Sequence, residues 1–214
     1  MAFTPYGATV GNQLTPLSVA NGGTGQTSDA LPPFLPSDSN LSPVLLAWAY
    51  DQVIFNVGGG TVLPNAGQVT MTRINLRTAV SVTNVVYWVA ATGSVLTSGQ
   101  NFAGLYNSSG TLIGASADRA TAWGSTGGLY TDALVGGPFT AGPGFVWVAW
   151  MCNGTTGPQI QRAGNTSATL SNVGFSAVAS ARFCHGGATG TTSMPNQTPA
   201  SNVLTTPQFW AALS

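Results

Sequence analysis

The sequence predicts a mostly β protein: an antiparallel β-sandwich of jelly-roll type, preceded by an extended arm and one short α-helix. Three observations carry this expectation. From Gly67 onward, about eight short segments alternate apolar and polar residues with period two, and turn clusters rather than helices separate them. Residues 1–40 are instead rich in Gly, Pro, Thr and Ser and show no core-forming periodicity. Between the two, one stretch combines a helix start signal with helical spacing of its apolar residues. The chain of 214 residues therefore divides into an arm over 1–40, a short helix and Gly-rich linker over 41–60, and a β-sandwich over 61–214.

The arm contains the run Asn21-Gly22-Gly23-Thr24-Gly25 and closes with Leu31-Pro32-Pro33-Phe34-Leu35-Pro36. Prolines fix φ and remove backbone donors, and consecutive glycines hold no strand or helix by propensity. Such a segment takes its order from whatever it lies against.

Ser42-Pro43 then reads as an N-cap with proline at the first helical position. Leu41, Leu45, Trp48, Gln52 and Phe55 follow at spacings of four and three, a stripe that could seat a helix on its own β-body or around a symmetry axis. β-branched residues near the end of this stretch leave a strand open as the alternative, and Gly58-Gly59-Gly60 ends the element.

Expected strands cover 68–76, 79–90, 100–106, 111–116, 129–135, 144–152, 172–184 and 208–213, with turns at 107–110, 136–138 and 153–154. The clearest hairpin spans 102–114. Phe145-Val146-Trp147-Val148-Ala149-Trp150-Met151 is apolar on both faces, so one face fills a core and the other needs a cover. A wide core, the arm or a second subunit would each supply that cover.

Charge narrows the function classes. Five arginines and five aspartates are the only charged residues, with no lysine or glutamate, giving 5% charge and a net charge of zero. Soluble domains carry about 25% charged residues, so this surface is built of neutral polar groups and has little charge repulsion to keep copies apart. A closed oligomer or incorporation into a larger assembly is expected. The lack of a basic stripe argues against nucleic acid as partner. The opening Met1-Ala2-Phe3-Thr4-Pro5-Tyr6 has neither a basic region nor an apolar run, so synthesis in a cytoplasm without a secretory signal is expected. No stretch approaches the roughly 20 apolar residues of a membrane span, so no membrane insertion is expected.

Chemistry-bearing constellations are sparse. The Asn-Gly-Gly-Thr-Gly run lacks the Gly-Lys-Ser/Thr of a phosphate loop, and no strand feeds it as a dinucleotide site requires. His185 is the only histidine and sits at an expected strand end beside Cys184. No Gly-x-Ser-x-Gly elbow accompanies it, and Cys152, Cys184 and His185 lack a fourth ligand for zinc. The five aspartates give no cue that selects a carboxylate pair for glycoside hydrolysis. No catalytic, cofactor or metal site is therefore expected, and the two cysteines are expected as buried thiols rather than a required disulfide. Arg73 and Arg77 stand four apart on one side of an expected strand. Tyr106, Trp123 and Tyr130 fall in or near expected loops, where sugar rings could stack on them; Trp123 would equally plug one end of the sandwich.

The run Pro16-Leu17-Ser18-Val19-Ala20-Asn21-Gly22-Gly23-Thr24-Gly25-Gln26-Thr27 resembles a junction that recurs in tail-fibre and related virion proteins of tailed bacteriophages. The match is nearly unbroken over about a dozen residues. Residues 103–114 and 209–214 are more weakly similar to segments of minor tail proteins from phages of actinobacteria. In the family a longer shaft often follows the junction; here a Pro-rich segment and a single domain follow. The resemblance implies a non-enzymatic protein of the virion surface, either a small fibre or adhesin whose sandwich meets host glycans, or a head decoration or head-fibre protein that stabilises a capsid. Asn21, Gly22, Gly23, Thr24 and Gly25, with Leu45 and Trp48, would then serve assembly on itself and on other virion proteins through residues 1–40. A glycan or cell-wall hydrolase is the remote alternative.

Overall fold

The computed structural model describes residues 45–49, 55–163, 172, 179, 181–204 and 209–214. Fifteen strands, one α-helix and a short 3-10 helix (Pro199–Ser201) are found among them. These are β1 (Ala47–Trp48), β2 (Phe55–Val62), β3 (Ala66–Leu76), β4 (Val80–Val82), β5 (Asn84–Ala91), β6 (Ser94–Leu96), β7 (Phe102–Asn107) and β8 (Leu112–Ala115). After α1 (Ala120–Ser125) come β9 (Gly128–Ala133), β10 (Phe139–Ala141), β11 (Gly144–Thr156), β12 (Gln159–Ala163), β13 (Phe183–His185), β14 (Val203–Leu204) and β15 (Ala212–Leu213).

The strands form two antiparallel sheets packed face to face. One runs β1-β15-β5-β12-β2, with β9 on the opposite edge of β5; the other runs β14-β13-β3-β11-β7-β8, with β6 beside the end of β11. A short β4–β10 ribbon flanks them. Alternation explains the core. Val85, Tyr87 and Val89 of β5, with Ile160 and Leu213, face Ile74, Leu105, Val146, Val148 and Trp150 of the other sheet in one buried cluster. The Thr72 hydroxyl crosses between the sheets to donate to the Phe209 carbonyl at 3.0 Å.

β11 buries both of its faces, as its composition requires. Val146, Val148, Trp150 and Cys152 fill the core, while Trp147, Ala149 and Met151 form a second cluster with Met71, Tyr106, Cys184 and Met194. The cover on that second side is the chain's own residues 186–202. Their hold is made of hydrogen bonds to strand ends and loops: Gly186 N to Val69 O at 2.8 Å, Asn153 Nδ2 to Thr191 O at 2.7 Å, and Gln197 N to Gly110 O at 2.8 Å. Tyr106 donates its hydroxyl to Pro195 O at 2.9 Å, and Met194 seats over Gly104, where a Cβ would lie 2.6 Å from its sulfur.

The hairpin expected over 102–114 is present as β7–β8. Asn107 Oδ1 accepts from Ser109 N at 3.0 Å and Thr111 N at 2.9 Å, and Gly110 adopts φ +85°. Side-chain acceptance of turn donors together with a left-handed glycine is what closes this loop.

Two expectations need correction. The helix over 42–55 is not found where the residues are described: Ala47–Trp48 pairs with β15, and Phe55 opens a strand that runs through Gly58-Gly59-Gly60. Pairing with Leu213 and Ala212 outweighs the helical spacing, and Gly60 fits because a Cβ there would lie 2.8 Å from Ile160 O. The described helix is α1 instead, six residues long, anchored by buried Trp123. Its last carbonyls are satisfied by Tyr130, whose hydroxyl donates to Ala122 O at 2.9 Å and Thr126 O at 2.7 Å. Within 172–184, only Phe183–His185 is a strand among the described residues. Asn172 supplies side-chain pairing there, accepting from Arg182 N at 2.6 Å and Phe183 N at 3.0 Å. The arm, with Asn21, Gly22, Gly23, Thr24 and Gly25, lies outside the described residues.

Candidate functional site

The three aromatics expected to face a ligand are interior. Tyr106 is fully buried under residues 186–202, and Trp123 and Tyr130 close one end of the core. Their hydroxyl and indole groups are spent on the protein itself. Trp123 Nε1 donates to Tyr87 Oη at 2.9 Å, and Tyr87 in turn donates a very short hydrogen bond to Asp132 Oδ2. Tyr130 stacks on Tyr87 with centroids 5.5 Å apart, and Arg119 bridges Asp132 Oδ1 at 2.9 Å while lying over the Tyr130 ring. The expected loop positions are corrected: Tyr106 lies in β7, Trp123 in α1 and Tyr130 in β9, and each ring turns inward to a polar partner within the protein.

The same cluster shows where an acid–base residue would be sought. Burial pushes the Asp132 carboxyl above the usual carboxylate range, opposed by the Tyr87 hydrogen bond and the Arg119 charge. Burial, then the Asp132 charge, pushes Tyr87 well above its ordinary value. Asp132 is bonded on both oxygens to protein groups, which suits a structural role. Asp118 accepts from Asn101 N at 3.0 Å.

His185 is half-buried at the end of β13, its Nδ1 2.9 Å from Gly186 O. Cys152 and Cys184 are both free and buried, and they lie on opposite faces of one sheet, Cys152 in the inter-sheet core and Cys184 in the second cluster. Burial pushes each thiol up to about 12. Among the described residues, no group of three His, Cys, Asp or Glu side chains is placed to hold a metal ion. Arg73 and Arg77 do not share a strand face, because β3 ends at Leu76; Arg73 instead lies over the Phe145 ring, 4.1 Å from its centroid. Burial lowers the Arg73 pKa, with a further push from Arg182.

The surface that stands out is the outer face of the β5 sheet. Register places Trp48, Ala212, Val86 and Thr131 in one row across β1, β15, β5 and β9. Val86, Trp210 and Ala212 are buried there, with Leu45 and Trp48 packed against them. In the next row Trp88 and Leu129 are directly opposed, and they remain 43% and 60% exposed. An aromatic–aliphatic pair left open beside a buried apolar cluster makes this face a candidate interaction surface. Leu45 and Trp48, expected to serve assembly, thus sit at this face's edge and cover part of it. Sequence reasoning missed Trp88 and Leu129, although residues 85–89 are apolar on both faces, the same signal that singled out β11.

Comparison with family models, curated proteins and solved structures found no match.

Proposed function

We propose that this chain is a non-enzymatic protein of a bacteriophage virion surface, docking through its N-terminal arm and displaying the β-sandwich outward. The observation that carries this reading is the Pro16–Thr27 run, with its resemblance to the virion-protein junction, placed ahead of a sandwich with very few charges. A chain with 5% charged residues suits a protein held in an assembly better than one kept apart by repulsion. Its partners are then copies of itself, as a trimer, and neighbouring virion proteins. The engagement of Asp118, Asp132 and His185 by protein groups supports a role without catalysis.

As a small fibre or adhesin, the sandwich would contact a host-surface glycan. One observation favours the alternative of a decoration protein that clamps and stabilises a capsid: Tyr106, Trp123 and Tyr130, the rings on which sugars were expected to stack, are buried. Adding purified chain to host cells separates the two. Saturable binding that blocks infection supports the adhesin. Lack of binding, with particles missing the protein infecting normally but bursting more readily on heating, supports decoration.

A further inference from the structure

We infer that the outer face of the β5 sheet is a receptor for the chain's own proline-rich segment, Leu31-Pro32-Pro33-Phe34-Leu35-Pro36. Three observations converge on this occupant. First, the open pair Trp88 and Leu129 continues an apolar surface whose other half is already covered by the chain's own Leu45 and Trp48. The first described residues, Leu45 and Leu46, lie at this face, where Leu46 N donates to Leu213 O at 2.7 Å.

Second, the reach is sufficient. The row from Trp48 to Thr131 crosses three strand spacings, about 14 Å. The ten residues from Leu35 to Leu45 span up to about 33 Å when extended. Third, the chemistry matches. Residues 31–36 are a dense apolar cluster whose three prolines favour a polyproline II conformation. Such a segment lacks half of the backbone donors that a strand would need to pair, and it binds by laying proline and apolar side chains on exposed aromatic rings. Trp88 supplies the ring and Leu129 the adjoining wall.

This assignment anchors the base of the arm on its own sandwich and leaves residues 1–30, with Asn21 to Gly25, to reach neighbours. It stands independently of the virion reading, since only the isolated full-length chain is needed to test it. The test is photo-crosslinking of the full chain carrying Trp88→p-benzoylphenylalanine, with Leu129→p-benzoylphenylalanine as a second probe, followed by gel sizing and peptide mapping. Circular dichroism of each variant verifies the fold. The expected result is a monomer-sized product linked within residues 31–36. Replacing Leu31, Phe34 and Leu35 together by serine should lower its yield about tenfold. A dimer-sized product would show that the face receives a second copy and would overturn the assignment. So would a monomer-sized link outside 31–36, or a yield unaffected by the serine replacements.

Discussion

Tyr87 ties several buried side chains together at one end of the core. Its Oη accepts from Trp123 and donates to Asp132, its ring stacks on Tyr130, and it meets Trp150 edge-on at 5.8 Å. Tyr87→Phe keeps the ring but strands two buried partners, so a loss of about 1–3 kcal/mol is expected in urea unfolding. Asp132→Ala should cost more than Tyr87→Phe, because Arg119 and Tyr87 both lose their acceptor. The thiols make a second residue-scale prediction. Cys152 and Cys184 should be inert to a thiol reagent in the native protein and both react once it is unfolded, with no disulfide seen by mass. Each thiol is held at about 12 in the fold against an ordinary 9.0, so the folded state keeps a proton that the unfolded state releases. Stability is then whole below pH 9 and falls as pH rises through 9 toward 12, by about 1.4 kcal/mol per thiol at pH 10. The buried tyrosines push in the same direction. Urea midpoints that stay level between pH 8 and pH 10 would contradict this.

The elements show which local signals decide structure and which are overridden. β11 and the β7–β8 hairpin were legible because each rests on neighbouring residues: two-sided apolarity in the first, Asn107 and Gly110 in the second. The helix expected over 42–55 failed because its stripe of Leu45 and Trp48 serves a strand pairing with residues 212–213, more than 160 positions away, which no local window contains. Burial of Tyr106 was equally illegible, since it depends on residues 186–202 closing over β7. That closure makes Gly110 an element-scale test. A Cβ there would meet the Gln197 carbonyl oxygen at 2.4 Å, on a residue already at φ +85°. Gly110→Ala should therefore destabilise by about 2 kcal/mol or more and raise protease cleavage within 186–202. An unchanged cleavage pattern would show that this segment is not held by the hairpin tip.

For the whole molecule, the proposal that the chain is held among neighbours rests on its low charge and on the Gly- and Pro-rich sequence of residues 1–40. The fold class was legible from the strand periodicity. The surface that remains open was not, because burial of Val86 beside exposed Trp88 is a matter of which strands meet across the sheet. Bulky replacements at Gly22, Gly23 or Gly25 should impair incorporation into particles while leaving the sandwich folded, as followed by copurification and circular dichroism. The most direct test of the central claim is to band particles on a density gradient and label them with an antibody against the sandwich. The account predicts that the chain bands with the particles and that label decorates their surface at regular positions. Finding the chain only in the soluble lysate, with unlabelled particles that contain none of it, would contradict it.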